Sequence, residues 1–160
     1  MANPVYLWLY NESGEQIDGA VRVAGREGSI ELMSLDHCVA TPTDDNTGAL
    51  TATRIHSAYE FVKEVDPSST YLYKAVTSGE TLQKAVFYFY RINSSGKETL
   101  YYKTTLEDVK VVKVAAKVHD IKDPAKQKHT HLEHVELRYK KITWLYLDGT
   151  LEHSDEWNER

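Results

Sequence analysis

The chain has 160 residues, 41% hydrophobic, 27% charged and 11% aromatic, with a formal net charge of -5. That length sets one domain, residues 1–160, as the expectation, and the composition excludes a disordered chain. The acidic balance counts against a nucleic-acid partner, the single cysteine Cys38 excludes an intramolecular disulfide, and no apolar run approaches 18 residues, the minimum read as a membrane-crossing helix.

The first residues carry no basic segment followed by a long apolar one, so no Sec-type signal is read, and synthesis in a reducing cytoplasm is expected. Val5 to Tyr10 reads as a strand that is apolar on both faces: Val5, Leu7 and Leu9 on one, Tyr6, Trp8 and Tyr10 on the other. A half-solvated strand would alternate with polar residues, so both faces need cover from the fold or from another subunit. Ser29 to Val39 is the next strand. Ala40 to Thr53 follows without periodic signal and reads as a long loop, of a length that is often functional. In the strand after it, Ile55, Tyr59 and Phe61 mark one face and His56, Glu60 and Glu64 the other. A helix of roughly three turns is then expected, with Asp66 as cap, Pro67 in the first position and Gly79 as stop.

Val86 to Ile92 and Leu100 to Leu106 flank Asn93-Ser94-Ser95-Gly96, a hairpin connection, and Val109 to Val118 continues as a strand. Leu132 to Leu147 is the longest strand signal. Its apolar phase slips at Lys140-Lys141, from Val135, Leu137 and Tyr139 to Ile142, Trp144 and Tyr146. A bulge or sharp coil there keeps both sets on one face, as a curved, closed sheet requires. Asp148-Gly149 reads as a two-residue hairpin turn, and His153 to Arg160 as a polar tail interrupted by Trp157. Eight or nine strands and one helix predict a mainly β fold, an antiparallel barrel or two packed sheets with a short flanking helix.

No residue pattern points to catalysis. There is no GxSxG, SxxK or phosphate-binding glycine loop, and His37 and Cys38, adjacent on a strand, point to opposite faces. His129, His131 and His134 lie close together, with His119, Asp120 and Asp123 nearby, but without an established metal-ligand spacing. Charge is uneven: residues 97–141 sum to +4 and the remainder to -9, a polarity that suits either a phosphate-binding patch or the acidic face of a second copy.

Several strings in order carry a family resemblance: Arg26-Glu27-Gly28-Ser29-Ile30-Glu31, Pro42-Thr43-Asp44 with Thr47-Gly48, Arg54-Ile55-His56 and Phe61-Val62-Lys63-Glu64-Val65-Asp66. Tyr71-Leu72-Tyr73-Lys74-Ala75, Ser78-Gly79-Glu80-Thr81-Leu82, Tyr90-Arg91, Leu106-Glu107 with Val109, His119-Asp120-Ile121 with Asp123-Pro124, and Lys141-Ile142-Thr143-Trp144 complete the set. In their order and spacing the chain resembles the Hcp (haemolysin-coregulated protein) family, whose members form the inner tube of the bacterial type VI secretion system. The resemblance implies a compact β-barrel with one flanking helix and no enzymatic activity, cofactor, metal, nucleic acid or membrane insertion. It implies a homo-hexameric ring, stacked into a hollow tube, expelled by a contractile sheath and carrying effectors in its lumen. Sheath, spike, baseplate and effector proteins are then the partners. Export by that machine, to the medium or a target cell, needs no Sec signal.

Within that frame Pro42, Thr43, Asp44, Asp45, Asn46, Thr47 and Gly48 are expected at an interface between copies, and Glu31, Ser34 and Asp36 to face the channel. The alternative is a secreted β-barrel that binds carbohydrate or peptide through its 11 tyrosines and three tryptophans.

Overall fold

The computed structural model describes residues 3–158. The strands are β1 (Val5–Tyr10), β2 (Gln16–Ile17), β3 (Ile30–Asp36), β4 (Val39–Ala40), β5 (Ile55–His56), β6 (Tyr59–Glu64), β7 (Thr81–Ile92), β8 (Glu98–Lys117), β9 (Leu132–Arg138), β10 (Lys141–Tyr146) and β11 (Leu151–Glu156), with one helix, α1 (Ser69–Ser78). Six strands close a barrel in the order β8, β7, β1, β3, β6, β9 and back to β8, every neighbour antiparallel. The β10–β11 hairpin extends the sheet from the first half of β8, and β4 with β5 forms a separate two-stranded piece.

β8 does two jobs because it bends. Its first half pairs with β7 and β10, its second half with β9. Asp108, at φ 52, marks the turning point, and Val112 is left over between Val111 and Lys113 as a bulge. The two strands expected on either side of Glu107-Asp108 are therefore one continuous strand. An aspartate adopts the left-handed region at small cost, so the ladder survives the bend.

The barrel interior is apolar. Leu7, Leu9, Ile30, Phe61, Leu72, Phe87, Leu106, Val135, Leu137 and Ile142 are fully buried, and the Tyr59 and Phe87 rings meet at 4.3 Å between centroids. The outer face of β1 is covered from within the chain. Arg26 stacks on Tyr90 at 3.8 Å and on Tyr6 at 4.9 Å from the ring centroids, and pairs with Glu98. The segment that brings Arg26 there needs a glycine at its start: a Cβ on Gly19 would lie 2.3 Å from the Ser29 carbonyl oxygen.

The helix and its neighbours are tied by a buried polar cluster. Lys63 is fully buried, and its ammonium donates to Asp66 at 3.0 Å, Ser69 at 3.2 Å and the Glu64 carbonyl at 3.0 Å, and pairs with Glu133 at 2.9 Å. β6, α1 and β9 thus share one cation.

Four local expectations change. The helix proper starts after Ser68, two residues later than expected, although Asp66 still accepts from the Ser68 N–H at 2.8 Å as a capping carboxylate does, while also holding Lys63; Gly79 does end the helix, at φ 72. Ile55 is exposed and His56 buried, the reverse of the predicted facing, since the chain breaks at Ser57-Ala58 between β5 and β6 and loses strand alternation. The phase slip near Lys140 is a full corner between β9 and β10, with Tyr139 buried inside it. The last hairpin has a four-residue loop, Leu147 to Thr150, with Gly149 and Thr150 at positive φ in place of a two-residue Asp148-Gly149 turn. The polar tail also contributes β11, although Glu159 and Arg160 lie outside the described residues.

Candidate assembly surfaces

The expected long loop is a hairpin. β4 and β5 pair at its base, Thr43 and Leu50 bridge higher up, and Thr51 N–H donates to the Pro42 carbonyl at 2.9 Å. Asp44 orders the tip: its carboxylate accepts from the N–H groups of Asn46 at 2.8 Å and Thr47 at 2.9 Å, and those bonds hold it below the ordinary carboxylate range. Gly48 follows at φ 73, its N–H bonded to the Asp44 carbonyl. Pro42 to Gly48 are therefore brought together in one projecting turn. Around them the hairpin exposes apolar side chains it does not bury itself: Leu50 is 72% exposed and Ile55 58%, with Val39 beside them.

A second apolar surface lies at the far end of the same strands. A groove of about 470 Å³ is lined by Val21, Val23, Met33 and Val65 with Glu31, Glu64 and Asp66. Val23, Met33 and Val65 are exposed in it. β3 runs from the groove to the hairpin and β6 runs back, so the two surfaces are separated by the length of β3, roughly 20 Å. Sequence reasoning missed the groove because Val23 and Val65 fall outside any strand and Met33 is displaced outward by a register shift between Leu32 and Ser34.

That shift also decides where the expected channel residues point. Glu31, Ser34 and Asp36 are all exposed along β3, because the irregularity at Met33 restores the outward phase. They share the outer barrel wall with Glu60 on β6 and with His134 and Glu136 on β9, since β6 pairs with both strands. The histidine cluster is dispersed. His119 and His129 stack at 4.1 Å in the loop between β8 and β9, while His134 belongs to β9. His134 Nε2 lies 3.3 Å from Glu136 and 4.0 Å from Glu60, three donors close enough to share a metal, but the Lys113 ammonium, 3.2 Å from Glu136, already supplies a cation there.

The loop between β8 and β9 sits at the groove end: Thr130 donates to Glu64 at 2.9 Å and the Val65 N–H donates to the His131 carbonyl. With Lys117 it holds four lysines against Asp120 and Asp123, whereas the hairpin at the opposite end carries Asp44 and Asp45 and no lysine or arginine between Ala40 and Thr53. The hairpin end is thus acidic and apolar, while the groove end is apolar and mixed in charge, its lysines set beside Glu31, Glu64 and Asp66.

Comparison with known proteins agrees with this architecture. The family model described as "Type VI secretion system effector, Hcp" matches residues 6–146. The chain belongs to the Hcp family of type VI secretion. The "Major exported protein" of Pseudomonas aeruginosa is 35% identical over 133 residues, 83% of this chain and 77% of that protein. Hcp1 from the E. coli EAEC 042 pathovar is 55% identical, with a TM-score of 0.88 over 98% of this chain and 99% of the other. "Secreted protein Hcp3 from Pseudomonas aeruginosa" is 28% identical, with a TM-score of 0.79 over 99% of this chain and 100% of the other. Closed barrel and flanking helix are the Hcp fold, and Hcp is a family of secreted structural proteins.

Proposed function

We propose that this chain, as a single barrel domain spanning residues 1–160, is a subunit of a type VI inner tube: copies close into hexameric rings, rings stack, and the hollow assembly is expelled by sheath contraction with effectors inside. No covalent step and no cofactor is assigned to it. The observation that carries the reading is the pair of unlike surfaces at opposite ends of β3 and β6, an acidic hairpin with exposed Leu50 and Ile55 and a groove with exposed Val23, Met33 and Val65 beside a basic loop. Unlike surfaces at opposite ends favour head-to-tail contact, the kind that builds stacks rather than closed pairs. In this assembly Glu31, Ser34 and Asp36 line the channel wall, with Glu60 and Glu136 adding to its acidity.

The hairpin is the direct test. Deleting Asp44 to Gly48 removes the tip while leaving the barrel strands untouched. Light scattering and negative-stain imaging should show six-fold rings and stacks for the parent chain, and a folded protein with weakened rings or stacks for the deletion. A deletion variant that still forms full-length tubes would remove the hairpin from the interface. A parent chain that stays monomeric at high micromolar concentration would favour a barrel that acts alone in binding carbohydrate or peptide.

A further inference from the structure

The hairpin is not held by its own two-residue ladder alone. Its return strand sends two side chains, Arg54 and His56, to one carboxylate on the last strand of the chain, Asp155 of β11. Arg54 donates through Nε at 2.9 Å and through Nη2 at 2.8 Å, the two-pronged arrangement that fixes a guanidinium in direction as well as distance. Arg54 also donates to the Glu156 carbonyl at 3.2 Å. His56, only 4% exposed, places Nε2 2.8 Å from Asp155 Oδ2, the oxygen that also accepts from Arg54 Nε. The Arg54 bonds, opposed by partial burial and helped by His56, hold Asp155 down at about 2, so the anchor is an anion at any ordinary pH.

In a neutral His56 that donates its Nε2–H to the ionised Asp155, Nδ1 is the acceptor. The Tyr139 hydroxyl, 2.6 Å away, donates to it and in turn accepts from His37 Nε2 at 2.8 Å. The chain of bonds runs from β11 through the base of the hairpin to the β9–β10 corner and on to the end of β3. Trp157 closes over it, stacked on His56 at 5.5 Å and edge-on to Tyr139 at 4.8 Å. Every segment that enters or leaves the hairpin is therefore referred to one acidic residue far away in sequence.

We infer that Asp155 is a positioning residue for assembly: it sets the direction in which the Pro42–Thr51 hairpin projects from the barrel, and β11 serves as a clasp for the contact between copies. This rests on the reading of the hairpin as that contact, and the experiment separates the two. Hydrogen exchange at Asp44, Thr51 and Ser57, whose N–H groups are bonded within the hairpin and its base, reports the clasp; ring and stack formation reports the contact. Asp155→Asn should speed exchange at those amides roughly tenfold or more, as expected when charge-assisted bonds to a partly buried anion are lost, and weaken stacks. Exchange at Leu7, Phe87 and Leu106 in the barrel should stay as it is, and Asp155→Glu should restore most of the hairpin protection.

Unchanged hairpin exchange in Asp155→Asn would overturn the inference. So would faster exchange spread equally through the barrel, which would make Asp155 a general stabiliser. If Asp155→Asn does not fold, Arg54→Gln decides by the same two readouts, since it removes the outer prongs and leaves His56 in place. Faster hairpin exchange with full-strength stacks would uphold the clasp and remove the hairpin from the interface.

Discussion

His37 sits at the end of β3 with its ring 4.8 Å from that of Tyr59 and its Nε2 on the Tyr139 hydroxyl. Burial, reinforced by the nearby His56, brings its imidazole from 6.5 down to about 4. Between those two values the unfolded chain holds a proton that the folded chain does not, so stability falls as pH drops through that window and is indifferent to this residue above it. Thermal unfolding followed from pH 7.5 to pH 4 should show that decline. In His37→Gln the decline should be shallower, because the amide keeps a donor for Tyr139 and has nothing to titrate. None of this was legible in the sequence, where His37 drew notice only for preceding Cys38. Its partners, Tyr59 at the start of β6 and Tyr139 in the β9–β10 corner, lie 22 and 102 residues further on, and only barrel closure brings them to it.

At the scale of elements, the lone cation Lys63 does the binding between β6, α1 and β9. Its two carboxylates, Asp66 and Glu133, have side chains no more than 5% exposed. Lys63→Met should therefore cost about 3–5 kcal/mol in chemical denaturation, because it leaves two buried anions uncompensated. A loss under 1 kcal/mol would mean that water reaches the cluster and carries the charge. The helix itself was readable from its stripe, Leu72 and Ala75 buried, and from Gly79. Its start lies two residues later than expected: Asp66 makes a capping-type bond to the Ser68 N–H and also holds Lys63, and the regular helix begins at Ser69. The facing of Ile55 and His56 was misread because alternation holds only while a strand is unbroken, and the break at Ser57-Ala58 is held by tertiary bonds: the Ser57 N–H donates to the Cys38 carbonyl and the Cys38 N–H donates to Ser57 Oγ.

For the whole molecule, the division of charge becomes only in part a division in space, because the lysine-rich loop shares its end with the groove carboxylates Glu31, Glu64 and Asp66. The acidic hairpin and the lysine-rich loop between β8 and β9 occupy opposite ends of the barrel. Stacks held partly by that attraction should shorten as salt rises, since exposed charges are screened beyond about 8 Å at 0.15 M ionic strength. Replacing Lys122, Lys126 and Lys128 together by Glu should shorten them further at low salt while leaving the melting of the isolated protein nearly unchanged. Sedimentation across a salt series measures both. Stack lengths indifferent to salt and to the charge reversal would assign the contact to Leu50, Ile55 and the groove alone.

What the sequence determined by itself was the class and the family. Strand-length apolar alternation, turn residues at Asn93 to Gly96, the Gly79 stop and the ordered motifs are all local signals, and local signals survive without knowledge of the fold. It also marked Pro42 to Gly48 as part of a long polar loop, whereas the outward facing of Glu31, Ser34 and Asp36 depends on the irregularity at Met33. Tertiary structure decided the rest: that the loop is a hairpin, that a groove faces away from it roughly 20 Å off along β3, that β8 turns at Asp108 to serve two neighbours, and that Asp155 clasps the hairpin's base. The physical reason is separation along the chain. His56 and Tyr139 are 83 residues apart and Arg54 and Asp155 are 101 apart, and no periodicity within either segment announces a partner at that distance.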